Sequence, residues 1–183
     1  MRLSQSFDPA ADPDGAGDPC KRPHALIAVR MSSRERGTRM PQVTEREIWI
    51  RSTDMDGDRI VNNARYFEFF EQARLEHLLA LGVIVRPRSS GESDRAFTIA
   101  ETTCRFLAPL QHRDLIVAQA RTTEVRNRSF TLGYRIFRSP EGTAVAEGSS
   151  ALVWLDQDGR PTALPPLVRA ALVDSTSDEA TKI

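Results

Sequence analysis

Only two cysteines, Cys20 and Cys104, and three histidines, His24, His77 and His112, occur in the 183 residues. They form no CxxC pair, no HExxH and no Cys/His cluster, so the common zinc and redox ligand sets are excluded. The GxSxG elbow of serine hydrolases and the glycine-rich loop of nucleotide hydrolases are also missing. Neither sign of charge prevails, with 25 basic against 25 acidic residues, which removes any global attraction to nucleic acid or an anionic bilayer. The longest nearly apolar run, Leu78 to Val85, is broken by Gly82 and falls short of the roughly 20 residues that span a bilayer. Ala25 to Val29 is too short for a secretory leader and follows Asp8, Asp12, Asp14 and Asp18. These absences predict a cytoplasmic protein with no metal, no nucleic acid and no membrane partner.

What is present suits one globular domain with tails, at 40% hydrophobic and 27% charged residues. Residues 1–42 are rich in Asp, Pro, Gly, Ser and Arg without periodicity, and are expected to be a disordered tail. The domain is expected over 43–173, with a flexible polar tail over 174–183. Glu45 to Ser52 alternates as a strand, and Asp54 to Arg59 is turn chemistry. Asn62 or Asn63 then caps a helix running to about Leu81, where Gly82 stops it. Tyr66, Phe67, Phe69, Phe70, Ala73, Leu75, Leu78, Leu79 and Leu81 cover most of its circumference, so it needs cover from a surrounding sheet. Phe97–Phe106, Asp114–Val125, Ser129–Arg138 and Thr143–Leu155 supply four strands, expected to be mainly antiparallel neighbours, and Pro165–Val173 a short helix. The order predicts an α+β domain.

Asp54, Asp56 and Asp58 crowd the loop ahead of the long helix, and taken alone they describe a solvated acidic turn. They also match positions 1, 3 and 5 of a calcium loop, with Val61 at its apolar position 8. That reading fails at Arg59 and Arg65, which replace the required Gly and bidentate Glu. No histidine is expected near the start of the helix, since His24 lies in the tail, His77 late in the helix and His112 in a loop.

The stretch Thr53-Asp54-Met55-Asp56-Gly57-Asp58-Arg59-Ile60-Val61-Asn62-Asn63-Ala64-Arg65-Tyr66, followed by Phe70-Glu71 and Ala73-Arg74, resembles the signature of hotdog-fold acyl-CoA thioesterases. It is most similar to the 4-hydroxybenzoyl-CoA thioesterase group and its Tol-Pal-associated relatives, over about Val43 to Leu155. The resemblance implies a mainly antiparallel five-stranded sheet wrapped round one central helix, and hydrolysis of an acyl- or aroyl-CoA to free acid and coenzyme A. It assigns Asp56 as nucleophile or general base and puts Ile60 and Tyr66 in the substrate pocket. Unpaired amides at a helix start favour an anion, so the Asn62 and Asn63 N–H groups are expected to polarise the thioester carbonyl. Arg126, Arg128 and Ser129 resemble a basic turn that holds coenzyme A phosphates in some of these enzymes, although solvated turn arginines would look the same. No cofactor is implied beyond coenzyme A as part of the substrate, and a homodimer or homotetramer is implied, with each pocket built from two protomers. Another hotdog subgroup uses a helix glutamate, which maps onto Glu71; Glu71 and Arg74 are also spaced to pair with each other. Where the family has Gly-His, this chain has Arg59-Ile60, which leaves room for another loop conformation and removes one polar contact. The alternative is a hotdog protein that binds acyl-CoA or an acyl carrier protein without turnover.

Overall fold

The computed structural model describes residues 41–84 and 96–176. The chain divides into two units, Met1–Arg34 and Glu35–Ile183, and every described residue belongs to the second. Most of both expected tails, with Cys20 and His24, lies outside the described residues. The elements run β1 (Thr44–Trp49), α1 (Asn63–Ala80), β2 (Phe97–Phe106), β3 (Leu115–Val125), β4 (Ser129–Ser139), β5 (Thr143–Trp154) and α2 (Pro166–Asp174). The five strands form one antiparallel sheet ordered β1-β3-β4-β5-β2. This is the hotdog architecture. Strands β3, β4 and β5 are joined by tight turns, but β2 is not a neighbour of β3: residues 107–114 carry the chain from one edge of the sheet to its interior. Among the described residues no helix is long and apolar enough to cross a membrane.

Both ends of α1 are set by local chemistry. The Asn62 side chain accepts the Ala64 amide at 2.9 Å, satisfying one of the amides that a helix start leaves free. At the other end Gly82 takes φ +67°, the Gly82 amide reaches Leu79 and the Val83 amide reaches Leu78, so the last carbonyls are closed by a left-handed cap. About 27 Å of helix lies between them. It settles closely because the strands beneath offer small residues, Ala118, Ala120 and Ala146, all at most 1% exposed. Phe70 stacks on Tyr134 at 4.6 Å, and its ring lies over Gly148.

The buried face of α1 is not wholly apolar. Tyr66, Phe69, Phe70, Ala73 and Leu78 are buried together with Arg74 and His77, whereas Phe67 and Leu75 stay 42% and 39% exposed. The sheet of one chain therefore leaves a stripe of the helix, Phe67-Glu71-Leu75, uncovered. His77 is fully buried within a hydroxyl chain: Thr44 Oγ1 to Nδ1 at 3.2 Å, Nε2 to Thr122 Oγ1 at 3.0 Å, and Thr122 to Ser175 Oγ at 2.7 Å. Ser175 donates to the Leu172 carbonyl, so Thr122 must donate to Ser175 and can only accept from the ring. The neutral imidazole therefore carries its proton on Nε2. The chain ties α1 to β1, β3 and the end of α2. Ser175 is 0% exposed and α2 reaches Asp174, so the packed domain extends past the expected boundary at 173.

Gly148 and His77 make this packing testable. A Cβ on Gly148 would meet the Thr103 carbonyl oxygen and stand 2.7 Å from the Phe70 ring, so Gly148→Ala should cost about 1–3 kcal/mol in urea unfolding. Burial pushes the His77 imidazole down to about 4. Its unfolded value is near 6.5, so the unfolded chain binds the extra proton between those limits. The contribution of neutral His77 is then complete above about pH 6.5 and falls away as the pH drops towards 4, by about 3 kcal/mol in all. A wild-type Tm profile no steeper over that window than that of His77→Gln would refute it.

Candidate active site

The loop between β1 and α1 is anchored by Asp54, which is 1% exposed. Its carboxylate accepts the Arg51 amide at 2.8 Å, Arg51 Nε at 3.2 Å and Arg51 Nη2 at 2.9 Å, with Arg65 Nε 3.7 Å away. Burial pushes this carboxyl up, but the Arg51 hydrogen bonds and the Arg51 and Arg65 charges outweigh it and hold Asp54 below the usual carboxylate range. The Asp54 carbonyl in turn accepts the Asn62 amide at 2.9 Å. A Met55–Val61 bridge and a Val61 bond to the Leu110 carbonyl at 3.0 Å close the base of the loop. Asp54 is thus a buried staple between the end of β1 and the start of α1, not part of a solvated turn.

Asp56 sits at the head of the closed loop. Its Oδ1 accepts the Asp58 amide at 2.9 Å and the Ile60 amide at 3.4 Å, while its own amide donates to the Ile60 carbonyl at 2.8 Å. The same turn recurs at Asp156, whose Oδ1 accepts Asp158 at 2.9 Å and Arg160 at 2.8 Å, and whose amide donates to Arg160. In the second copy the left-handed position is Gly159 (φ +77°), and in the first it is Arg59 (φ +62°). Replacing glycine by Arg59 has therefore not moved that residue out of the region glycine favours, at a backbone cost of roughly 1–2 kcal/mol.

The surroundings separate the two turns. Asp56 lines a cleft with Ser52, Met55, Arg59, Gln111 and His112. Gln111 and His112 belong to the 107–114 crossover, which is pinned by bonds between Ile50 and Asp114, by Arg113 to the Ile50 carbonyl, and by Asp114 Oδ2 accepting the Gln111 amide at 2.9 Å. The expectation concerned the start of the helix; His112 instead shares the cleft of the loop that precedes it. No local pattern marks it, because the crossover is brought to the loop by the β1–β3 pairing and the Val61–Leu110 bond, both between distant segments. Asp58 and Arg59 are exposed, while Asp56 and Ile60 are half-buried.

The other expected site residues separate. The Asn62 amide is already given to Asp54, so of the two expected oxyanion donors only Asn63 has an N–H without an acceptor among the described residues. Tyr66 is 3% exposed, packed edge-on against Phe106 at 4.9 Å; burial pushes its phenol up, partly offset by a hydrogen bond with the Leu110 backbone. Arg126, Arg128 and Ser129 lie at the far end of β3 from the cleft, about 35 Å along an 11-residue strand. Arg126 is also engaged by Glu124 at 2.7 Å. One chain does not bring this turn to Asp56. Glu71 lies 3.9 Å from Arg74 and is exposed. Among the described residues no three His, Cys, Asp or Glu side chains are placed to share a metal ion.

Residues 50–172 match the model of the thioesterase-like superfamily. Acyl-acyl carrier protein thioesterase ATL3 of Arabidopsis thaliana chloroplasts is 30% identical over 137 residues, 75% of this chain and 71% of that protein. Acyl-CoA thioesterase YbgC of Haemophilus influenzae is 28% identical over 64% of this chain and 85% of its own. A thioesterase of Thermus thermophilus, solved with coenzyme A and zinc, shares the fold at a TM-score of 0.61 and 24% identity, covering 74% of this chain and 96% of that one.

The staple makes a prediction of its own. Asp54→Asn keeps the shape of the side chain but removes the countercharge of Arg51 and Arg65, and should cost about 2 kcal/mol, a figure reduced by the exposure of Arg51. Asp58→Asn, on an exposed side chain, should stay within about 0.5 kcal/mol in the same denaturation measurement.

Proposed function

The chain belongs to the thioesterase-like superfamily and is a thioester hydrolase, and from that premise we propose that it is an acyl-CoA thioesterase of the 4-hydroxybenzoyl-CoA type with Asp56 as its catalytic carboxylate. The observation that carries this reading is the placing of Asp56 in a cleft, on the loop that leads into α1. One carboxylate oxygen is occupied by turn amides, which keeps the group oriented. The other is available to take a proton from water as that water attacks the thioester carbon, or to attack the carbon itself and form an anhydride that water then hydrolyses to the free acid. Negative charge developing on the carbonyl oxygen is met by the helix-start amide of Asn63, and coenzyme A leaves as thiolate. Coenzyme A enters only as part of the substrate, and no separate cofactor takes part. Ile60, half-buried, and Tyr66, buried, do not line the cleft of one chain.

The site is completed by a second copy of the chain. Phe67, Leu75, Ile99 and Phe106 are 39–45% exposed, and β2 is an edge strand with one side unpaired. Two β2 strands pairing antiparallel across a two-fold axis reverse the partner sheet. The partner's arginine turn then comes to the end where Asp56 lies, which is how Arg126, Arg128 and Ser129 reach the coenzyme A phosphates.

Asp56→Asn should preserve the fold and lower kcat at least ~100-fold in a thiol-release assay over aroyl- and acyl-CoA esters. An unchanged kcat would remove Asp56 from the mechanism. Binding of these esters by the wild-type protein with no thiol release would establish the non-catalytic alternative.

A further inference from the structure

We propose that Arg59 is a specificity residue of the Asp56 cleft that binds an anionic oxygen of the substrate, phosphate or carboxylate; this rests on the thioesterase reading above. Among the described residues the same Asp-x-Asp turn occurs at Asp56 and at Asp156, with the same carboxylate-to-amide bonds. On the exposed β5 side the left-handed position is filled by Gly159, the residue the backbone prefers, whereas beside the cleft it is filled by Arg59. Turn formation therefore does not account for the arginine. Arg59 lines the cleft with Asp56, Gln111 and His112, and among the described residues no carboxylate lies within ion-pair distance of it. The neighbouring arginines of the loop are different: Arg51 is engaged by Asp54, and Arg65 by Asp54 and Glu68. A guanidinium that makes no ion pair among the described residues, in a cleft also lined by Gln111 and His112, is matched by an oxyanion on the incoming molecule. Strain retained at a cleft residue and avoided in the duplicate turn points the same way.

The natural test is Arg59→Gly, because glycine is what the duplicate turn uses and the substitution relieves strain. Four thioesters separate the sources of the anion: coenzyme A and N-acetylcysteamine esters, each of a neutral acyl group and of one ending in a carboxylate. Arg59→Gly should leave Tm unchanged or higher and kcat within twofold, and should raise KM about tenfold for anion-bearing substrates only. A rise confined to coenzyme A esters assigns the phosphate, one confined to carboxylate-bearing acyl groups assigns the acyl end, and Arg59→Lys should recover part of either. A merely structural arginine would lower Tm on removal and leave the KM ratios alone. Unchanged KM for all four esters, or an equal rise for the neutral N-acetylcysteamine ester, overturns the inference. Calorimetry with coenzyme A and with the carboxylate-bearing N-acetylcysteamine ester needs no turnover. Absent binding to the wild type, or equal affinity of wild type and Arg59→Gly for both compounds, overturns the role of Arg59 even if hydrolysis is never seen. Loss of hydrolysis with retained, Arg59-dependent binding overturns only the catalytic reading.

Discussion

A carboxylate removed from water must find its full set of donors or lose its charge, and Asp54 finds them in one arginine side chain, that arginine's own amide and a second arginine. The consequence is geometric. Arg51 closes β1, Arg65 belongs to the first turn of α1, and the Asp54 carbonyl holds the amide of the capping residue Asn62. Strand end, loop base and helix start are thereby joined through one residue. The segment between Met55 and Val61 has only to close on itself, and a single carboxylate–amide turn does that. The position of Asp56 relative to the helix start is therefore inherited from Asp54.

The recurrence of the Asp56 turn at Asp156 separates conformation from chemistry. Both turns obey the same local rule, a carboxylate accepting amides two and four residues on. At Asp156 the product is a hairpin end in solvent. At Asp56 the same geometry stands against a crossover loop and a helix start, and the carboxylate acquires neighbours. A turn motif does not by itself make a site; what the sheet topology brings alongside distinguishes the two copies.

That topology also decides what one chain leaves unfinished. Sending β2 to the far edge beside β5 gives α1 a sheet floor of small residues, with Phe70 set over Gly148, but it leaves Phe67 and Leu75 without cover. It places the arginine turn at the end of β3 opposite the cleft. An apolar helix stripe, an open strand edge and a basic turn remote from the carboxylate are the three features on which the proposed pairing of two sheets rests. The buried hydroxyl chain through His77 serves a different purpose, joining α2 to the sheet and helix by satisfied polar groups at the closed end of the core.

Short-range chemistry was legible in the residues alone. The order of strands and helices, the Asn62 cap, the Gly82 stop and the sheet-covered helix follow from alternation, capping and turn preferences that act over a few positions, and the motif from Thr53 to Tyr66 pointed to the hotdog family. Other features depended on burial and on pairing between distant segments. Three aspartates at alternate positions look equivalent as text, yet packing makes Asp54 a staple, leaves Asp58 in solvent and puts Asp56 between the two. Spacing likewise gave no sign that His112 would share the cleft, that Arg74 and His77 would be buried in place of Phe67 and Leu75, or that Asn62 would spend its amide on Asp54. The elements and their ends follow from residues a turn away and so can be read along the chain; which polar groups share a cleft follows from which strand lies beside which, and no run of residues carries that.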